Sequence, residues 1–415
     1  MALGLLASVT TFFKVGSEDA FRALTWGGRL VGVTFMVAVL VETLATLALI
    51  DYWGQRRLRY SGETVLLGVF AVMITNLMCF IVQVEGGDYT HWVWLWIGFL
   101  LWSAWALWIL NSQKIWRRLP HPKRFAIGVV ASTAVGAASL AYSQMYVPYS
   151  TPAVIPFSVS FGRPTLDSKN KVIHVPAHLV LRNTGSVRIH VVGTLWKVRG
   201  IPGTFTKQGT GFGTWKDNMW ADRPILRHDN LAPSRLLAAG EIVNGGAWLD
   251  PGDDFSKDVT VKVPTNSGIE RVEIVSLLSY IRADRCKLSN DYKHSFLYSW
   301  DGNSKDKRHI WDAPKWVGEP GDEFFRYASR IYRSSQLLEM TRASDYASAW
   351  WVLPKWREGD YWAEGDTDPY MKVSISRDPE AEQLLSDSQQ EPYGMKTLDV
   401  VAGQTMGQLL KAANK

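Results

Sequence analysis

The hydrophobic pattern divides the chain into two regimes. Up to about residue 150 long unbroken apolar runs recur, and beyond it short stretches of alternating apolar and polar residues take over. The run at 30–50, LVGVTFMVAVLVETLATLALI, is followed by others at about 64–84, 91–110 and 125–145. About 20 apolar residues cross a hydrocarbon core of roughly 30 Å, so residues 28–149 read as a four-helix transmembrane domain. The preceding segment 1–27 reads differently. Its opening MALGLLASVTTFF lacks a basic leader and is too short to span, so an interfacial segment is expected, with Ser17 capping a short helix that ends near Ala23.

Glu42 lies deep inside the first run. An ionisable side chain there costs about 2.5–3.5 kcal/mol on insertion scales, so it should face a bundle interior or a watery path. Thr34, Ala38, Glu42 and Thr46 recur every four residues, a polar and small stripe on one helix. Asn76, on the second run at a comparable depth, is the expected partner of Glu42. Two readings stand at this point: a neutral carboxyl hydrogen-bonded between helices, or a pore-lining or ion-pathway group. In the fourth run Gly128, Ser132 and Gly136 make a small-residue stripe suited to close helix packing or a homo-oligomer interface. The third run, with Trp92, Trp94, Trp96, Trp102, Trp105 and Trp108, is bulky enough to face lipid.

From Ile155 the alternation predicts strands at 155–161, 172–181, 187–198, 257–263 and 272–281, separated by turns at Asn183-Thr184-Gly185 and Asp250-Pro251-Gly252-Asp253. The stretches LVLRNTGSV and LDPGDDFSKDVTVKVP resemble the bacterial immunoglobulin-like pattern, in which an Asn-x-Gly turn and a Pro-Gly turn flank core strands. The resemblance covers about 155–283, departs from the pattern through an insertion at 200–240, and implies a β-sandwich (150–283) that binds or presents a surface. Residues 284–415 read as a smaller mixed α/β region. A helix is expected from Asp322 to about Arg342 on the spacing of Phe324, Ala328, Ile331 and Leu338, and a last helix from Leu398 to Ala412. The whole is an α+β membrane protein.

Charge adds orientation. Residues 1–150 carry 11 Lys/Arg against 7 Asp/Glu. Arg56, Arg57 and Arg59 lie between the first and second runs, and Lys114, Arg117, Arg118, Lys123 and Arg124 between the third and fourth. The loop Glu85–Asp88 is acidic. The positive-inside rule makes the basic loops cytoplasmic and the soluble part extracytoplasmic, with a cytoplasmic soluble part as the alternative.

Cys79 and Cys286 cannot build a disulfide framework or a zinc set. Nor does the chain carry a catalytic signature. Gly209-Thr210-Gly211-Phe212-Gly213 is no phosphate loop, while His174, His178 and His190 lack carboxylate or cysteine company, and Asp250, Asp253 and Asp254 suit a turn. No cofactor and no enzymatic activity are expected. The better site is a basic and aromatic set able to pair phosphates and stack bases: Arg282, Arg285, Arg308, Arg326, Arg330, Arg333, Trp300 and Trp311. The expected partners are the lipid bilayer, further copies of the chain, and a ligand or protein, an anionic nucleotide or oligonucleotide among them. Two functions fit. One is a receptor-effector whose soluble domain controls an oligomeric bundle, an ion-conducting pore among its forms; the other is an extracytoplasmic adaptor or envelope-assembly protein with no pore.

Overall fold

A computed structural model describes residues 1–54, 57, 60–113, 153–203, 211–213, 216, 234–293, 314, 316–318, 322–354, 368–377, 384–386 and 390–414. The predicted fourth run with Gly128, Ser132 and Gly136 lies outside these residues, as do Trp300, Arg308, Trp311 and most of the 200–240 insertion. The chain forms two compact units, one of Met1–Pro152, Ala283–Lys287 and Ile331–Asp345, the other of Ala153–Arg282, Leu288–Arg330 and Tyr346–Lys415.

In the first unit, helices α1 (Ala2–Arg22), α2 (Trp26–Trp53), α3 (Ser61–Glu85) and α4 (Trp92–Ser112) pack together. Of the described helices, α2, α3 and α4 are long and apolar enough to cross a membrane. Thr25 starts α2 by accepting a hydrogen bond from the Gly28 N–H at 3.0 Å. The α1 region corrects the sequence expectation. In place of a short interfacial run and a helix capped at Ser17, one helix of 21 residues runs unbroken. Leu5, Ser8, Phe12, Val15 and Asp19 form its buried stripe, at helical spacing. Tertiary packing outweighs the helix-weakening residues Gly16 and Ser17. Indeed α1 and α2 approach closely at Gly16 and Gly32, and a Cβ on Gly32 would lie 2.2 Å from the Ala20 backbone nitrogen. Because α1 lies antiparallel to α2, Met1 packs with Leu49 and Tyr52, at the same end of the bundle as the Arg57 loop.

The expected spans at 30–50 and 64–84 fall inside α2 and α3, and that at 91–110 inside α4 except for its first residue, His91. Within α4, Trp94 and Trp108 are exposed while Trp96 is fully buried.

The second unit is built on antiparallel sheets. In the first sheet β3 (Val172–Arg182) pairs with β1 (Phe157–Phe161), β2 (Thr165–Asp167) and β7 (Asp254–Pro264). In the second, the order is β13 (Lys396–Thr405), β8 (Ile269–Arg282), β4 (Ile189–Pro202), β5 (Arg235–Gly240), with β6 (Trp248–Leu249) also on β4. The inward residues of β3, Ile173, Val175, Ala177 and Leu179, share one cluster with Trp196, Val198, Val272 and Ile274 of the second sheet and Met406 and Leu409 of helix α6 (Met406–Ala413). Each such Val, Leu or Ile contributes about 1.5–3 kcal/mol by leaving water. A third sheet has the order β12 (Tyr370–Ser376), β11 (Asp345–Leu353), β10 (Glu323–Arg333), β9 (Cys286–Leu288).

Two expectations fail here. Residues 322–342 are not one helix but strand β10 followed by the short helix α5 (Gln336–Thr341), and 398–412 is strand β13 followed by α6. Phe324 and Ala328 share a face in a strand as well as in a helix, so their spacing misled. The aromatic and β-branched residues Phe324, Phe325, Tyr327, Ile331 and Tyr332 favour the strand. The capping box of Thr405 and Gln408 then starts α6 one strand later than expected.

Candidate functional site

The most constrained place in the helical unit is one end of the bundle, where the α1–α2 turn, the α3–α4 loop and the segment 334–343 meet. Asp19, at the end of α1, accepts hydrogen bonds from the backbone N–H groups of Gln336 and, at 3.1 Å, Leu337, so it caps α5 from 317 residues away. Burial is the larger influence on Asp19 and pushes its carboxyl up to about 6, against the lowering effect of those two N–H donors. The Leu24 N–H donates to the Ser334 carbonyl at 2.9 Å, and the Thr90 hydroxyl to the Met340 carbonyl at 2.7 Å. Asp88 accepts from the Ala343 N–H at 3.2 Å, while Arg342 pairs with Glu85. Leu337 and Met340 are buried with Phe12, Val15, Phe35, Cys79, Val82 and Trp96, and Phe12 stacks on Trp96 at 6.0 Å. The segment is thus a wedge built into the bundle end. Beside it lies a cavity of about 280 Å³ bordered by both signs of charge, Glu18, Asp19 and Glu339 facing Arg22, Lys287 and Arg333. Nothing in the sequence pairs Asp19 with residue 336; the contact depends on tertiary proximity alone.

Glu42 is fully buried among the helices. Its neighbour across the α1–α2 contact is Ser8, which lies near the carboxyl without closing a hydrogen bond. Asn76 does not serve as its partner: the Asn76 amide donates to the Val72 carbonyl of its own helix at 2.8 Å, leaving its oxygen unpaired. The Thr46 hydroxyl, also buried, donates to the Glu42 carbonyl at 2.8 Å, whereas Thr34 is exposed and bonded to Leu30. The four-residue stripe therefore splits between an inward and an outward part, because a spacing of four drifts around a 3.6-residue helix. Ser8, Glu42, Asn76 and Ser103 leave polar atoms unpaired inside an apolar bundle, each costing about 1–3 kcal/mol.

The arginines of the basic and aromatic set do not share one face. Strand geometry puts Arg326 and Arg330 on one face of β10 and Arg333 on the other. Arg333 pairs with Asp345 and also donates to the Ala343 carbonyl at 3.3 Å. Arg326 lies over the Trp350 ring at 4.6 Å. Arg282 is buried in β8, against Gly394, and Arg285 is half-buried. His178 pairs with Asp258 at 2.6 Å, and Asp253 accepts from the Asp250 N–H at 2.8 Å within its turn.

No protein-family model and no curated protein matches the chain. Among solved structures it is similar to a putative ApaA protein from Bordetella pertussis, 15% identical over 32% of this chain and 82% of that one with a TM-score of 0.20. It is also similar to the sporulation control protein Spo0M from Bacillus subtilis, 7% identical over 63% of this chain and 94% of that one with a TM-score of 0.19. Likenesses at these scores carry no argument about fold or function.

Proposed function

We propose that the chain is a non-enzymatic membrane receptor-effector, in which a β-rich soluble domain recognises a ligand or partner and controls a homo-oligomeric helical bundle in the lipid bilayer. The observation that carries this reading is the wedge at 334–343. A simple anchor needs only a tether, whereas here a segment far along the chain, entered directly from β10, is capped by Asp19 and buried among the helices. A displaced wedge would break the hydrogen bonds that Asp19, Asp88 and Thr90 make to it together, which is how a signal at the strand would reach the bundle. Glu42, sealed in the resting bundle, is the group that such a rearrangement would expose to a watery path.

The paired sheets of the second unit suit an immunoglobulin-like sandwich, and a fourth span at 125–145 would complete the membrane domain. The charge bias of the loops, Arg56, Arg57 and Arg59 against Glu85 and Asp88, favours an extracytoplasmic soluble domain.

An adaptor without a pore is the second reading, and the complete burial of Glu42 within one chain favours it. Proteoliposomes carrying the purified full chain separate the two. Leu337→Asp should displace the wedge and raise ion leak at least tenfold over wild type, and adding Glu42→Gln should change that leak. If the wedge variant, still inserted and helical, leaks no more than wild type, the effector reading fails and the adaptor remains.

A further inference from the structure

We infer that one face of the third sheet is a binding site for a phosphate-type oxyanion, held by Arg326 and Arg330 of β10 together with the hydroxyls of Ser348 and Ser374. The inference rests on the receptor reading and gives its ligand a chemical class. Alternation fixes the face. Arg326 lies over the Trp350 ring and Phe324 packs on that ring at 5.1 Å, so the even-numbered residues of β10 share a side with Trp350. Ser348, two residues before Trp350, is on that side too. The β11–β12 register sets Ser348 directly opposite Ser374 and Trp350 opposite Lys372. The face therefore carries Arg326, Arg330 and Lys372, with Asp322 near Val352 and Tyr370 at its edge.

Two further features point to a ligand. Ser348 is 0% and Ser374 1% exposed, and neither hydroxyl has a hydrogen-bond partner; the buried Trp350 indole N–H is unpaired as well. Buried donors without acceptors are costly, and an oxyanion supplies several acceptors at once. Directly opposed residues on neighbouring strands hold their Cβ atoms about 4.5–5.5 Å apart, close enough for both hydroxyls to reach one oxyanion. Trp350 already carries Arg326 on its ring, which leaves that ring unavailable for stacking a base. Recognition therefore centres on the anionic group, and a nucleobase is not part of it. The strand bearing both arginines continues to Ser334, whose carbonyl receives the Leu24 N–H, so the same element leads from this face to the wedge.

The test uses the purified full chain in detergent, with pyrophosphate or inorganic phosphate as probe against chloride at matched ionic strength. Pyrophosphate should raise the thermal midpoint of wild type. Ser348→Ala combined with Ser374→Ala should weaken pyrophosphate binding at least tenfold by calorimetry, while its midpoint in chloride stays equal to or above wild type, since it loses only unpaired hydroxyls. Arg326→Gln should weaken binding in the same direction; if it misfolds, the serine pair decides. No phosphate-specific shift in wild type, or an equal shift in the serine variant, overturns the site. The liposome leak needs no ligand, so a failed oxyanion site leaves the wedge result standing, and a silent wedge leaves this binding measurement intact.

Discussion

At the scale of single residues, the helical unit depends on the absence of side chains where backbones meet. A Cβ on Gly32 would stand 2.2 Å from the Ala20 nitrogen and 2.6 Å from the Asp19 carbonyl carbon, both main-chain atoms that cannot step aside. Gly32→Ala should therefore separate α1 from α2 and cost about 1–3 kcal/mol, read as a lower thermal midpoint of the full chain in detergent. Gly86 differs, because there the obstructing atoms belong to the Arg342 guanidinium, the far end of a flexible side chain. An unchanged midpoint for Gly32→Ala would mean that α1 does not pack as described. Glu42 was recognisable from sequence as a buried carboxylate, because a charged residue inside an apolar run has few other places to go. Its partner was not. Asn76 satisfies its amide on its own helix, and Ser8 comes from a helix whose length the sequence understated.

At the scale of elements, docking of α5 carries a proton linkage. Asp19 is raised from 3.8 to about 6, chiefly by burial, with Glu18 adding to the rise and the Gln336 and Leu337 N–H groups opposing it; Arg22, Lys287, Arg333 and Glu339 also border the cavity at its side. The docked state thus binds a proton more tightly than an undocked carboxyl. Docking strengthens as pH falls through 6 towards 4, and that gain is lost as pH rises above 6. Between pH 7.5 and pH 5 the docked fraction relative to the undocked should rise about tenfold. Hydrogen exchange at the 336–341 amides, corrected for the intrinsic pH dependence of exchange, reads this directly. Asp19→Asn should flatten the response, and a wild type whose wedge loosens on acidification would refute the linkage. Strands β10 and β13 show the limit of periodicity as a guide: residues four apart share a face in helix and strand alike, and the aromatic content of β10 carried the better signal.

At the scale of the whole molecule, the orientation is open to a direct measurement. Cys79 and Cys286 are both buried, so they give little background to a thiol reagent. A cysteine at Ser168, in the exposed turn before β3, should react with a membrane-impermeant maleimide in intact cells, and one at Arg57 only after lysis. The reverse pattern would put the soluble domain in the cytoplasm and turn attention to cytosolic phosphates as the oxyanion.

The sequence by itself determined the three described apolar helices, the strands β1, β3, β4, β7 and β8 of the β-rich unit, and the turns at Asn183 and Pro251. Each is written in local periodicity and turn chemistry, which hold whatever the rest of the chain does. Only the tertiary structure decided that α1 is one full helix, that Arg326 and Arg330 part company with Arg333, that Ser348 meets Ser374, and that residues 334–343 are capped by Asp19. Those outcomes depend on partners tens to hundreds of residues away, and a contact of that range leaves no period in the chain for a reader of one sequence to find.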